Sequence, residues 1–307
     1  MAGGARLSWG AMALDEMALA LSEDRGIRVC VVAGTSLVRE AAERHATSPL
    51  ATLALGRALL GALLLASGNK ERETLQLDFR GDGPLVGVTA IADDDAGVRG
   101  FPKKADALAH PGAGSLDVGT ALGGGNLSVV RWRPTWREPY TGIVQLRSGE
   151  IADELAQYLG TSEQRRSAIA LGVQLDPETR TGPCAGYLVE SLPGASRAAE
   201  SLAHENSTAL PNPDAHIRAG ASASDLAQLL LEGLGYVPLA RREPRFACPC
   251  SRSRAVRSAS LLGDDELDEL RQKGEALDIR CEFCGEHYSV EADDVDRAGG
   301  RSDAQPA

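Results

Sequence analysis

The chain is poor in aromatic residues, with only four Phe, three Trp and five Tyr among 307 residues. Its core is therefore expected to rest on Ala, Leu and Val rather than on ring packing. It is poor in cysteine too: six thiols in a chain of this length are too few for a secreted disulfide scaffold. A long unbroken apolar run is also lacking. The longest, Leu50 to Ala66, carries Arg57 near its middle, whereas a membrane-spanning helix needs about twenty apolar residues without a central charge. Asp15 and Glu16 interrupt LSWGAMALDEMALA, so no secretory apolar region forms there. These absences point to a cytoplasmic chain with reduced thiols and no membrane partner.

What is present is an ordinary globular composition. Hydrophobic residues make up 43% and the net charge is −11, which excludes global disorder. At about 150 residues per domain the length predicts roughly two domains. Ser48 followed by Pro49 is a helix start, and the leucines after it recur all round, as in a helix covered on most sides. Strands are expected over RVCVV around Cys30, Thr74 to Phe79, Leu85 to Ile91, Leu127 to Trp132, Thr141 to Leu146, Ala168 to Leu175 and Tyr187 to Leu192. RGDGP, Arg80 to Pro84, supplies a Gly-rich turn between the second and third of these. Glu150 to Leu159 reads as a helix. Grouped strands with helices elsewhere indicate an α+β fold with antiparallel sheets rather than repeating βαβ units.

Beyond Pro193 the texture changes. Ser196 to Leu210 and Ser222 to Leu234 read as helices separated by a Pro-Asn-Pro break. The second sets Leu226, Leu229, Leu230 and Leu234 at amphipathic spacing, either a docked core face or a surface for unfolding proteins. Pro238 to Phe246 is a Pro- and Arg-rich connector, and Arg297 to Ala307 a polar tail.

Chemistry concentrates near the end. Cys248-Pro-Cys250 and Cys281-Glu-Phe-Cys284 are separated by thirty residues, the arrangement that lets four thiolates surround a tetrahedral Zn²⁺. A helix over Asp264 to Lys273, ended by Gly274, fills the interval, and a strand-like HYSV follows. The 46 residues from Phe246 to Glu291 have few large apolar side chains, so a module of this size needs its metal to fold. His287 is a poorer ligand candidate, because four cysteines already complete the site.

Charge separates this module from a nucleic-acid reader. Residues 246–307 carry eight Lys and Arg against fourteen Asp and Glu, the wrong sign for phosphate binding. The local cluster Arg252, Arg254 and Arg257 beside the first pair either stabilises thiolates or is a solvated loop. A thiol–disulfide oxidoreductase acting through Cys281 and Cys284 is the enzymatic alternative. Such enzymes place their CxxC at a helix N-terminus, whereas here Gly285 and HYSV follow. No P-loop, G-x-S-x-G or H-E-x-x-H motif occurs. Cys30 and Cys184 read as buried small residues.

CPCSRSR at Cys248 to Arg254 and CEFCGEHY at Cys281 to Tyr288 resemble the bacterial 33 kDa chaperonin family, the redox-regulated zinc-binding heat-shock holdases. RGDGPL at Arg80, Arg99-Gly100, YLGTSEQ at Tyr158 and the Gly186 to Ala195 stretch resemble that family's core landmarks, in order. The chain departs from the pattern at Ser253, where an acidic residue is usual, at Pro249, and in a longer N-terminus. The resemblance implies a core over 1–192, a metastable helical linker over 193–245, a zinc-binding switch over 246–295 and a disordered tail over 296–307. It further implies one Zn²⁺ held by Cys248, Cys250, Cys281 and Cys284 when reduced. On oxidation it implies disulfides Cys281–Cys284 and Cys248–Cys250, zinc loss, unfolding and homodimerisation. Unfolding client proteins would then be bound without ATP and passed to an ATP-driven foldase; no catalytic residue and no nucleic-acid partner is implied.

Overall fold

A computed structural model describes residues 15–108, 116–177 and 181–299. Most of the interrupted N-terminal apolar stretch and all of the N-terminal extension lie outside the described residues, as does the tail from 300 onward. The chain divides into two compact units, Met1–Phe246 and Ala247–Ala307.

The first unit opens with β1 (Glu16–Leu21) and β2 (Ile27–Ala33), then α1 (Thr35–His45) and α2 (Pro49–Ala66). β3 (Thr74–Gly81), β4 (Gly87–Ala92) and β5 (Gly97–Pro102) follow, then the short α3 (Val118–Leu122). β6 (Gly125–Trp132), β7 (Tyr140–Gln145) and α4 (Ile151–Thr161) lead to β8 (Ser167–Val173) and β9 (Cys184–Ser191). Helices α5 (Arg197–Ala209), α6 (Pro213–Arg218) and α7 (Ala223–Leu230) precede β10 (Val237–Arg242) and β11 (Arg245–Phe246). One sheet has the order β10-β1-β2-β9-β8 and the other β11-β5-β4-β3-β6-β7. Their pairings are antiparallel except the short β11–β5 contact, so the α+β class with antiparallel sheets is what the chain adopts.

Helix α2 is the centre of this unit. Ser48 caps it, accepting the Ala51 N–H at 3.2 Å, and Pro49 takes the first turn, where no N–H is needed. By length and composition α2 could cross a membrane, yet 89% of it is buried inside the fold, packed against strands of both sheets. Its central charge is answered: Arg57 donates to Glu150 at 2.6 Å.

Strands β1 and β2 are buried on both faces. Met17, Leu19, Cys30 and Val32 enter the core around α2, while Ala18, Ala20, Val29 and Val31 enter a second core beneath α5 and α7. That is the period-two alternation of a strand applied to two apolar surfaces at once.

Several elements differ from the sequence expectation. β1 carries EMALAL, a run without a β-branched residue, and is extended because β2 and β10 pair with both its edges. The connector expected over Pro238 to Phe246 is instead β10 and β11. Pro238 is tolerated there because β10 is an edge strand and the partner strand shifts register beside it, between Leu19 and Ala20. Residues 193–245 are thus helical through α7, then join the first sheet as β10, and end at Arg245 where β11 joins the second sheet. Helix α7 ends at Leu230, before the expected Leu234, and the left-handed turns at Gly233 and Gly235 follow. The expected disordered tail is helical over 296–299, the end of α10 (Ala292–Gly299).

A chain of ion pairs links the two sheets. Glu190 on β9 pairs with Arg28 on β2 at 2.8 Å and with Arg165 at 2.5 Å. Arg165 also meets Glu163 at 3.0 Å, and Glu163 meets Arg131 on β6 at 3.0 Å. Arg131 and Arg133 then share Glu73. Tyr158 donates its hydroxyl to Glu163 at 3.0 Å.

The second unit holds α8 (Arg252–Ala259), α9 (Asp264–Lys273), the hairpin β12 (Leu277–Arg280) and β13 (His287–Val290), and α10. Its buried apolar residues are Ala255, Val256, Ala259, Leu267, Val290, Ala292 and Val295. Phe246, counted with this module from the sequence, packs instead on the first core beneath the Arg44 guanidinium, and Leu261 is exposed.

Candidate metal centre

Two backbone devices present the four sulfurs. Cys248 and Cys250 lie outside regular secondary structure just before α8, which Ser251 starts by accepting the Arg254 N–H at 3.3 Å. Cys281 and Cys284 form the tight turn between β12 and β13. The Cys281 N–H donates to the Glu286 carbonyl at 2.7 Å, and the Gly285 N–H donates back to the Cys281 carbonyl at 2.8 Å. Gly285 has φ +75°, a left-handed conformation suited to glycine.

The devices converge. The sulfurs of Cys248, Cys250, Cys281 and Cys284 all lie within 4.8 Å of one another, and none is in a disulfide. Cys248 Sγ is 3.7 Å from Cys281 Sγ, and Cys250 Sγ is 3.3 Å from Cys284 Sγ. A tetrahedral ion with bonds of about 2.3 Å to sulfur requires edges of about 3.8 Å, so the cluster fits such an ion with small adjustments. Electrostatics agree. Burial pushes the Cys248 thiol up to about 11 and pushes Cys284 up as well. Four sulfurs in this space become thiolates together only when a cation shares it.

Cys250 differs from its neighbours. Burial raises its pKa, but the hydrogen bond from Tyr288 and those from the other three cysteines outweigh burial and leave it below an ordinary thiol. The Tyr288 hydroxyl donates to Cys250 Sγ at 3.1 Å, and that bond in turn raises the phenol's own pKa.

A family model described as Hsp33 protein matches residues 15–291. The chain is 38% identical over 283 residues to the 33 kDa chaperonin of Symbiobacterium thermophilum, covering 92% of this chain and 96% of that one. It is 36% identical over 284 residues to the 33 kDa chaperonin of Geobacter sulfurreducens, covering 92% and 94%. The crystal structure of the 33 kDa chaperonin from Thermotoga maritima superposes with a TM-score of 0.84 at 29% identity, covering 93% of this chain and 98% of that one. This chain belongs to the Hsp33 family.

As an Hsp33-type chaperone it keeps its remaining candidate residues in distinct places. Arg252 on α8 turns to Asp294 of α10 at 2.5 Å rather than to sulfur, and Arg254 and Arg257 are exposed. His287 faces Asp278 at 3.0 Å and is not in the sulfur cluster. Leu226 and Leu230 are fully buried against β1 and β2, Leu234 is half-buried beyond the helix end, and Leu229 is 41% exposed. The buried stripe of α7 centres on Ala223, Leu226, Ala227 and Leu230, so Leu229 falls off its edge. Cys30 and Cys184 are buried, and burial raises both, Cys30 to about 11. Both stay protonated and unreactive near neutral pH.

Tyr288 is the site residue that sequence reasoning missed. A hydroxyl four positions past Cys284 offers no spacing signal; it reaches Cys250 only because β13 folds back antiparallel on β12.

Proposed function

We propose that this Hsp33 chain is a redox-regulated, ATP-independent holdase, silent when reduced. Cys248, Cys250, Cys281 and Cys284 would hold one Zn²⁺ as thiolates; bound there, the ion supplies folding energy rather than catalysis. The observation that carries this reading is the convergence of four free sulfurs in a unit whose buried side chains are mostly Ala and Val. When peroxide oxidises a pair, two thiolates lose two electrons, one S–S bond forms, the O–O bond breaks, and two protons are consumed to give two waters. A disulfide sulfur is no longer a thiolate ligand, so the second unit loses its clasp.

The consequence for clients follows from α7. Leu226 and Leu230 are hidden while α7 lies on the first sheet, and unfolding that spreads into 193–245 would present them to unfolding proteins. Homodimerisation of the oxidised form, hand-off to an ATP-driven foldase and a cytoplasmic setting complete the proposal. An oxidoreductase is disfavoured, because Cys281 and Cys284 sit in a hairpin turn and not at a helix N-terminus.

Light scattering of a heat-unfolding client, with zinc release followed in parallel, tests the reading. Oxidised protein is expected to suppress aggregation stoichiometrically without ATP and to release one zinc per chain. Equal suppression by reduced protein would contradict it. In an insulin-reduction assay no turnover is expected.

The two pairs are expected to oxidise in order, Cys281–Cys284 before Cys248–Cys250. A CxC disulfide closes a very small ring, and a residue before proline, here Cys248 before Pro249, is biased toward extended backbone, against the bend a bridge needs. Thiol mapping by mass spectrometry during peroxide treatment reads the order directly, and earlier loss of the Cys248 and Cys250 thiols would refute it.

A further inference from the structure

The polar partner of the sulfur cluster has no role in the reading above, and its geometry assigns it one. Tyr288 projects from β13 opposite Ile279 of β12 and places its hydroxyl 3.1 Å from Cys250 Sγ. Its ring packs against the small core of the second unit. The bond therefore crosses from the hairpin that carries Cys281 and Cys284 to the separate segment that carries Cys248 and Cys250. The sulfurs also meet one another, Cys248 with Cys281 and Cys250 with Cys284, and the Glu286 and Cys250 backbone N–H groups reach Cys284 and Cys248.

We propose that Tyr288 is a positioning residue of the metal centre, its hydroxyl fixing Cys250 as a ligand and shielding that sulfur from oxidants. The proposal rests on the four-thiolate reading. A donor to a ligand atom holds it at the metal, and loss of such partners typically weakens binding about 10–100-fold. The same O–H···S bond draws charge from sulfur and occupies one of its lone pairs. The sulfur is then a poorer nucleophile toward peroxide, whose O–O bond must be broken by a free sulfur lone pair. The shielded atom belongs to the pair expected to oxidise last, so in the folded, metal-loaded unit the bond would help direct the first attack to Cys281 and Cys284.

The test uses full-length reduced protein loaded with zinc, and in parallel with cobalt. Tyr288→Phe keeps the ring and its packing. It is expected to lose zinc to a competing chelator at about tenfold lower chelator concentration, to shift the sulfur-to-cobalt charge-transfer band, and to form Cys248–Cys250 several-fold faster under peroxide. Ile279→Val, which loosens the cross-strand packing but keeps the hydroxyl, is expected to leave the cobalt band in place. An unshifted band and unchanged zinc retention in Tyr288→Phe overturn the proposal, as does an equal shift in Ile279→Val. A second measurement needs no variant: a slowly exchanging Tyr288 hydroxyl proton in the NMR spectrum of zinc-loaded wild-type protein, whose absence counts against the bond. Wild-type protein that retains neither metal overturns the four-thiolate reading itself, which is a separate outcome.

Discussion

Chelating the metal from reduced protein is expected to unfold the second unit and spare the first. Hydrogen exchange read by mass spectrometry should show α8, α9 and the β12–β13 hairpin exchanging at unfolded rates, with β2, β9 and α2 still protected. The asymmetry comes from the two interiors. The first unit encloses α2 with sixteen buried residues of its own and has two apolar cores on opposite faces of one sheet. Among its described residues the second has seven buried apolar residues in its core cluster, only one of them a leucine. Burying a Val or Leu side chain contributes only about 1.5–3 kcal/mol, and Ala less. Ordering each residue's backbone costs about 1–2 kcal/mol. Structural zinc supplies about 10–16 kcal/mol of apparent binding energy, enough to decide whether such a unit folds. Loss of protection throughout the chain on chelation would contradict this division, and retained protection in the second unit would remove the clasp altogether.

The second large effect is expected at Glu163. Its carboxylate accepts from Arg131 Nε and Nη2, Arg165 Nη1 and the Tyr158 hydroxyl, at 3.0–3.2 Å. Glu163→Gln removes the negative charge between two arginines, one of them only 14% exposed. Breaking a fully buried pair costs about 3–5 kcal/mol; because Glu163 keeps 15% exposure, about 2–3 kcal/mol is expected, a drop of roughly 5–10 °C in the melting temperature of the first unit. The effect depends on pH in a known direction. Burial raises the Glu163 pKa, but Arg131, Arg165 and Tyr158 outweigh burial and hold it below the usual value. The stabilisation is thus full above the unfolded carboxyl pKa of about 4.3 and is lost as the pH falls through the lower folded value. Melting curves of wild type and variant should converge in acid. A gap that is constant with pH would show that the variant acts through packing alone.

The same residue illustrates how a sequence landmark acquires its meaning. YLGTSEQ was legible as a family feature, yet nothing in it shows that Glu163 joins arginines from β6 and the β8 approach while Tyr158 packs under Gly142 of β7. Gly100, another landmark, is required because a side chain there would meet the Thr89 carbonyl at 2.4 Å. Both requirements arise from neighbours distant in sequence. The expected helix Asp264 to Lys273 has those bounds in α9, because its stop signal, Gly274 in the left-handed conformation, is local. β1 and β10 escaped notice because their extended state comes from pairing partners, against the helix preference of Ala, Leu and Met and against the presence of Pro238.

The amino-acid order alone determined the pairing of cysteines into two close doublets, the acidic charge around them, the capped apolar helix and the antiparallel α+β class, since each depends on spacing or composition within a short window. Tertiary structure decided which leucines of α7 are hidden, that Arg252 serves Asp294, and that a phenol reaches Cys250. Those outcomes depend on which segments meet in space, and meeting is set by the register of strands and the faces of helices rather than by any residue's own preference.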